Sequence, residues 1–167
     1  MKWLCVLLVI AGSMYAESIG EIRELYSDVK EMIESGEQLY RTELEINSEG
    51  MMYPAVGIYG RSFDFYWGLN PEDYPSGRLL FISVESQYAA VEEYEEFLYS
   101  HSGELVFCFR SGGYEMTEER FYFDHGSLIR YIQDGETTDR PDDGTREEGE
   151  RVLHESEMLF QAFNLVH

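Results

Sequence analysis

The chain has few cysteines, few prolines and little positive charge. Its 167 residues include 2 Cys, 4 Pro and 12 Lys and Arg, against 33 Asp and Glu, for a formal net charge of −21 at pH 7. A negative field of this size repels nucleic-acid phosphates and anionic lipid surfaces, so we expect neither as a partner. A basic protein or a small ligand is compatible with the charge, and the oligomeric state is left open.

Apolar runs long enough to span a membrane are also missing, and the one short run near the N-terminus fits another kind of segment. Residues 3–10 are continuously apolar, follow the positive Lys2 and precede small residues at positions 11, 12, 13 and 16. A membrane span needs about 20 apolar residues, so this run is too short to be one. The order predicts a secretory signal peptide over residues 1–16, cleaved after Ala16, with cleavage after Ser13 as the alternative.

Processing of this kind would leave residues 17–167 as one exported domain. We expect it in the periplasm or at the cell exterior, without a membrane span, and the sequence does not distinguish the two compartments. Cleavage removes Cys5 and leaves Cys108, so no intramolecular disulfide can form. Cys108 lies in an apolar strand pattern, which predicts a buried and inert thiol, with intermolecular pairing as the alternative.

Helical periodicity marks the two ends of this domain. Over residues 19–40, apolar residues recur every three or four positions, and Ser18 with Glu21 fits a capping box. Gly36 either ends this helix early or marks its last turn. A second capping box, Thr145 with Glu148, predicts a helix that runs from there to near the C-terminus.

Between the helices the apolar pattern has a period of two. Eight strands are predicted, over residues 42–47, 55–59, 61–67, 78–88, 91–100, 104–110, 118–124 and 127–133. Their connections are mostly short and contain Gly, which favours antiparallel hairpins. The predicted fold class is α+β: an antiparallel β-meander sheet with an N-terminal and a C-terminal helix packed on one face.

Two of the hairpins repeat each other. Residues 95–109 align without a gap with residues 118–132, and Glu, Glu, Tyr, Gly and Leu recur at matching positions. Ser102-Gly103 and His125-Gly126 occupy the turns. A type I′ loop needs positive φ at both of its residues, which Gly adopts freely and His tolerates. We therefore predict a two-residue loop in each hairpin.

These loops set the register and hence the two faces of the sheet. In the second hairpin we expect Phe123 opposite Leu128 and Tyr122 opposite Ile129. The more apolar face should carry both helices. The other face is half apolar and rich in tyrosine, so it is either partly covered or a binding surface. Its candidate binding residues are Tyr99, Tyr122 and Tyr131.

Two segments carry a resemblance to a known pattern. Residues 22–26, Ile-Arg-Glu-Leu-Tyr, and residues 118–130, Glu-Glu-Arg-Phe-Tyr-Phe-Asp-His-Gly-Ser-Leu-Ile-Arg, resemble a family of uncharacterised secreted bacterial proteins with tandem Tyr-Phe-x-x-Gly-x-Leu hairpins. The offset of the hairpins is also distantly similar to MORN-type repeats, although their dense glycine pattern is missing. The resemblance implies secretion and tandem hairpins, and it implies no activity.

Aromatic residues also surround the one long connection, residues 68–77. A loop of this kind at a sheet edge can hold a sugar, a peptide or a hydrophobic group, and Tyr66 and Tyr74 are its candidate binding residues. The neighbouring Phe63, Phe65 and Trp67 alternate along one strand face. That alternation predicts core positions for these three.

Residues 139–150 partly match the pattern of a calcium-binding loop. Counted from Asp139, carboxylates occupy places one, five, nine and twelve of an EF-hand loop, and Gly144 occupies the sixth. These candidate metal ligands are Asp139, Asp143, Glu147 and Glu150. Pro141 stands where an Asp or Asn belongs, and a strand precedes the loop in place of a helix. We therefore expect no cofactor, with Ca²⁺ as the alternative.

The sequence contains no recognisable catalytic motif. A nucleophile elbow, a Cys/His constellation, a phosphate-binding glycine loop and a dinucleotide fingerprint are all missing. This favours a non-enzymatic binding or interaction module of the periplasm or cell exterior. One alternative is a hydrolase that uses a carboxylate pair on envelope or extracellular polymers, because such a pair meets only in space. The other is a structural envelope protein without a ligand.

Overall fold

The structure is a computed structural model that describes residues 4–36, 38–55, 57–69 and 77–167, with side chains from residue 19 onwards. Its elements are α1 (Leu4–Ser35), β1 (Tyr40–Ile46), β2 (Met52–Tyr53), β3 (Gly57–Leu69), β4 (Gly77–Tyr88), β5 (Val91–Tyr99), β6 (Leu105–Gly112), β7 (Thr117–Asp124), β8 (Ser127–Gln133), β9 (Glu136–Thr138) and α2 (Asp143–Asn164). Neither helix, over the described residues, is both long and apolar enough to cross a membrane.

The strands form one antiparallel meander, which confirms the predicted α+β class. The order is β1-β3-β4-β5-β6-β7-β8-β9, with the short β2 also paired to β3. Residues 57–59 of the predicted strand 55–59 join the predicted strand 61–67 in a single strand, β3, because Gly60 stays extended and pairs with Gln87 of β4. The short strands β2 and β9 were not predicted.

The two helices lie on opposite faces of the sheet, so the prediction that they share one face is wrong. Neighbouring residues of β5 show this: Phe97 belongs to the apolar cluster beneath α2, and Leu98 to the cluster beneath α1. Burial of a large apolar side chain stabilises a fold by about 1.5–3 kcal/mol. Because the central strands are apolar on both sides, each face needs its own cover. We call these the α1 face and the α2 face.

The hairpin between β7 and β8 has the predicted loop. His125 and Gly126 have φ values of 46° and 73°, and Phe123 pairs with Leu128. A β-bulge follows, however, so that Tyr122 lies opposite Arg130 and not opposite Ile129 as predicted. One extra residue on a strand moves every later side chain relative to its partner strand.

The hairpin between β5 and β6 has a longer loop than predicted. The N–H of Gly103 donates to the carbonyl of Ser100 (3.0 Å), and the N–H of Ser100 donates to the carbonyl of Glu104 (2.8 Å). Gly103 has a φ of 84°, whereas Ser102 keeps a negative φ. The loop is therefore three residues ending on a left-handed glycine, a common alternative to type I′. A bulge lies beside it, where the pairing shifts between Leu98 and Tyr99.

The boundaries of both helices differ from the predicted ones. The backbone is helical from Leu4, so Ser18 lies within α1 and does not cap it. Gly36, with a φ of 67°, ends α1 before the predicted boundary at residue 40. At the other end Asp142 caps α2, because its carboxylate accepts from the N–H of Thr145 (2.8 Å), and this bond lowers the pKa of Asp142.

Candidate functional site

Two adjacent glutamates of β5 point to opposite faces and are both buried. Glu95 is 7% exposed and Glu96 is 3% exposed. Successive side chains of a strand alternate between its faces, so this pair places one carboxylate beneath each helix. Burying a carboxylate costs free energy unless it is paired and hydrogen-bonded. The partners of each glutamate therefore decide what each face can do.

On the α2 face, Glu95 belongs to a closed ring of four charges. Arg110 Nε donates to Glu95 (2.7 Å) and its Nη2 to Glu155 (3.0 Å). Arg61 Nη2 donates to the remaining oxygens of the same two carboxylates, at 3.3 and 3.1 Å. Arg110 Nη1 also donates to Glu148 (2.7 Å), which is paired with Arg151. The ring thus ties α2 to three strands.

The ring is suited to holding the helix in place. Each of the four oxygens of Glu95 and Glu155 accepts from an arginine. Burial, together with the nearby Glu155, raises the pKa of Glu95. A catalytic carboxylate pair needs an oxygen free to take or give a proton, and here all four are engaged. The hydrolase interpretation stays a prediction.

On the α1 face, Glu96 binds groups from the helix and from its own strand. The Tyr26 hydroxyl donates to Glu96 Oε2 (2.6 Å), and Lys30 Nζ donates to Oε1 (2.9 Å). The Tyr94 hydroxyl also donates to Oε1 (2.7 Å). Burial and the hydrogen bond to Glu96 raise the pKa of both tyrosines. Both hydroxyls therefore stay neutral donors, and Lys30 compensates the buried negative charge.

A cavity of about 300 Å³ lies beside Glu96, between α1 and strands β5 to β7. We call it the α1 cavity; its lining residues are Ile22, Arg23, Tyr26, Glu96, Phe107, Phe109, Arg120 and Tyr122. Phe107 contacts Tyr26 and Tyr122 with ring centroids 5.2 and 5.0 Å apart. The walls are thus mainly aromatic, as in binding sites for small organic molecules.

Two arginines flank these aromatic walls. The Arg23 guanidinium carbon lies 5.8 Å from the Tyr122 ring centre, and that of Arg120 lies 5.2 Å from the Phe109 ring centre. Arg120 also pairs with the exposed Glu118 at 3.0 Å. Arg23 makes no hydrogen bond or ion pair within the part of the chain that the structure describes. Its charge is therefore available to a ligand.

The larger hollows of the surface lie elsewhere and are more polar. One of about 730 Å³ and one of about 560 Å³ open at the end of the sheet that carries the β4–β5 and β6–β7 turns. Glu85, Glu92 and Glu118 line the first, and the charge ring borders the second. Neither hollow joins buried aromatic walls to an unpaired cation, so the α1 cavity is the better candidate site.

The structure does not bring the predicted tyrosines together. Tyr122 lines the α1 cavity, and Tyr66 lies on the same face against Phe81 (6.1 Å between ring centres). Tyr99 is buried on the α2 face, where its hydroxyl donates to the Ser156 carbonyl (3.2 Å). Tyr131 lies on that face too and donates to Glu119. Tyr74 falls outside the described residues.

The shared tyrosine face is therefore a wrong prediction with a clear cause. The bulge between Tyr122 and Phe123 shifts the pairing of β7 with β8, so Tyr131 lies opposite Phe121 on the α2 face. Between β6 and β7, Phe107 pairs with Tyr122 and Cys108 pairs with Phe121. Tyr122 therefore joins Phe107 in the cluster beneath α1, whereas Tyr99 joins Cys108 in the cluster beneath α2.

The predicted calcium ligands are spread over a helix and a turn. Asp143, Glu147 and Glu150 lie in the first turns of α2, where an EF-hand would have a loop. Asp139 forms an ion pair with Arg130, and that hydrogen bond lowers the pKa of Asp139. Among the residues that the structure describes, no three His, Cys, Asp or Glu side chains are grouped to hold a metal ion.

Sequence reasoning missed most of the cavity, although a signal for it was present. The two segments that carry the resemblance to secreted proteins, residues 22–26 and 118–130, supply five of its eight lining residues. They are Ile22, Arg23, Tyr26, Arg120 and Tyr122. Nothing in the spacing of these segments shows that they meet. Their meeting depends on α1 lying across β7, which is a property of the folded chain.

Comparison of the chain with known protein families, with curated proteins and with solved structures finds no match. The resemblance to secreted proteins with tandem hairpins therefore stays a prediction.

Proposed function

We propose that this protein is an exported, non-enzymatic binding protein that holds a small organic anion in the α1 cavity. The observation that carries the proposal is the pairing of an aromatic-walled cavity with an arginine, Arg23, that has no anionic partner among the described residues. The predicted signal peptide supports a location in the periplasm or at the cell exterior. There it would meet small molecules from outside the cell.

The size and lining of the cavity select the body of the ligand. A volume of about 300 Å³ lies at the small end of the range for ligand sites. Phe107 and Tyr122 are buried aromatic walls, and Phe109 extends them towards the surface. Flat aromatic ligands stack well on such rings. We therefore infer a ligand with one or two aromatic rings, or a short acyl chain.

The charges of the cavity select the polar group of the ligand. Glu96 is already neutralised by Lys30, and Arg120 shares its charge with the exposed Glu118. The unpaired Arg23 leaves the site locally positive in a chain of net charge −21. Guanidinium groups bind carboxylates through two parallel hydrogen bonds. A carboxylate or sulfonate on the ligand would form an ion pair with Arg23.

Calorimetric titration with 2-naphthoate and with its uncharged amide, 2-naphthamide, tests the proposal. We expect naphthoate to bind at least about tenfold more tightly, because a charge-assisted hydrogen bond is worth about 1.5–3 kcal/mol. Arg23→Gln should remove that preference and leave the weak binding of the amide. Arg151→Gln, which changes an exposed arginine of α2 (72% side-chain exposure), is the matched control.

Either of two results would contradict the proposal. Absence of heat with both ligands at millimolar concentration would mean that the cavity does not bind aromatic molecules. Binding that is equal for naphthoate and naphthamide, or unchanged by Arg23→Gln, would mean that a different part of the surface is responsible.

A further inference from the structure

The first strand of the sheet is a long open edge. β1 pairs with β3 on one side, and within the described residues no strand pairs with its other side. It has seven residues, contains neither proline nor a bulge, and pairs continuously with β3. The opposite edge strand, β9, has only three residues. Unpaired N–H and C=O groups along a flat edge form a template for another strand.

Exposed apolar side chains are concentrated at this edge. Tyr40, Leu44 and Ile46 lie on one side of β1 and are 52%, 47% and 40% exposed. Met52 and Tyr53 of β2 continue the exposed strip beside them. In so acidic a chain, several exposed apolar side chains along one edge are typical of a protein–protein contact.

The other side of β1 carries charges of both signs. Arg41 forms ion pairs with Asp64 of β3 (2.8 Å) and with Glu43 of its own strand (3.3 Å), and both Arg41 and Glu43 are half-exposed. Glu45 follows two residues later. β1 thus presents an apolar row on one side and a mixed charged row on the other.

We propose that β1 docks β1 of a second copy of this chain, in antiparallel register about a two-fold axis at Thr42. In that register Arg41 of each copy lies opposite Glu43 of the other, which gives two cross-strand ion pairs. On the other side Tyr40 of each copy lies opposite Leu44 of the other, and the two Thr42 residues face each other. Opposite charges and apolar pairs directly across a ladder both stabilise a sheet.

Charge complementarity selects this register and this occupant. Moving the axis by one residue, to Glu43, would place the two Glu43 carboxylates directly opposite each other, which is destabilising. A two-fold contact requires a surface that complements itself, and the row of Arg41 and Glu43 does so. The strand order β1 to β9 would then continue across the axis as one sheet of both copies.

The test is sedimentation equilibrium of the purified protein and of two charge variants. The wild type should sediment as a dimer. Arg41→Glu and Glu43→Arg should each weaken the dimer at least tenfold, because each places like charges opposite one another. An equimolar mixture of the two variants restores both ion pairs, so it should recover the mass of a dimer. Arg146→Glu, which reverses an exposed charge on α2, is the matched control.

Three outcomes would overturn the inference. These are a wild type that stays monomeric at every concentration, charge variants that dimerise as well as the wild type, and a mixture that stays monomeric. The mixture also excludes misfolding as the cause of dissociation, since unfolded variants could not restore each other. Ligand binding in the α1 cavity plays no part in this experiment, so the two proposals stand or fall separately.

Discussion

Glu95 and Glu96 show how much depends on a single step along a strand. In the sequence they are two identical neighbours among 33 carboxylates. In the structure one is held by arginines that reach α2, and the other by a lysine and two tyrosines on the side of α1. Strand alternation separates them, and each becomes the polar anchor of one helix.

The raised pKa of Glu95 predicts an unusual dependence of stability on pH. Folded Glu95 holds its proton more strongly than unfolded Glu95, whose pKa is near 4.5. The folded state therefore binds more protons in the range just above pH 4.5, and its stability falls as the pH rises through that range. The Glu95→Gln variant cannot titrate there. The free energy of unfolding of the wild type minus that of this variant should be largest at acidic pH and should decrease as the pH rises.

Urea unfolding of both proteins at a series of pH values measures this difference in free energy of unfolding. Glu92→Gln removes an exposed carboxylate from the same strand and controls for the loss of one charge. A difference that increases with pH would show that the ion pairs with Arg61 and Arg110 stabilise the Glu95 carboxylate by more than its burial costs. The pKa of Glu95 would then be depressed.

Single residues differed in how well they could be predicted. Phe63 and Phe65 are buried as their alternation predicted, and so is Cys108, whose pKa is raised by burial. Their apolar character decides their position directly. Arg23 and Arg120 were not predicted as site residues, because an arginine on a solvated surface gives the same sequence pattern. What distinguishes them is the aromatic ring beneath each guanidinium group.

The type of each helix and strand was predicted better than the residues at which it begins and ends. Seven of the eight predicted strand segments correspond closely to strands of the sheet or to part of β3. Of the eighth, residues 55–59, the last three residues belong to β3. The period-two pattern of apolar residues is strong along these strands. The bulges at Tyr99 and Tyr122 leave no mark in that pattern, because the residues on both sides are aromatic or apolar.

Gly112 at the end of β6 offers a test of close packing between elements. Its φ is +99°, and a Cβ built there would lie 2.3 Å from the carbonyl oxygen of Glu92 on β5. Gly112→Ala should therefore cost more than about 3 kcal/mol, the sum of a left-handed conformation and a displaced backbone. Chemical unfolding monitored by tyrosine and tryptophan fluorescence measures the loss.

Gly135→Ala separates the two contributions. Gly135 also has a positive φ, +88°, but a Cβ there would have nothing within 4 Å. We expect it to cost about 1–2 kcal/mol, from backbone conformation alone. Equal costs at the two sites would show that β5 yields to the added methyl group.

At the scale of the whole molecule, the chain is a sheet enclosed between two helices. α1 and α2 cover opposite faces, and each covers an apolar cluster of its own. Placing one helix on each side leaves the edges of the sheet free. The open edge at β1 and the α1 cavity both follow from this three-layer arrangement, which the prediction of a single covered face did not include.

The predicted export of the chain can be tested directly. Intact-mass spectrometry of protein recovered from the periplasm or the medium should find a chain that begins at Glu17, or at Met14 if cleavage follows Ser13. Leu8→Arg interrupts the apolar run and should leave the full-length chain inside the cell. Gly20→Ser, beyond the predicted cleavage site, should be processed like the wild type. A full-length chain outside the cell would refute the predicted cleavage.

The class of the fold, the meander and the helices at its two ends could be predicted from the sequence alone. Periodicity and turn residues act over a few neighbouring positions, so they can be read without knowledge of distant contacts. Three features are visible only in the folded chain: the face that each helix covers, the tyrosines that share a surface, and the meeting of residues 22–26 with residues 118–130 at a cavity. These features depend on register shifts of one residue and on contacts between segments far apart in the chain, and no local pattern records them.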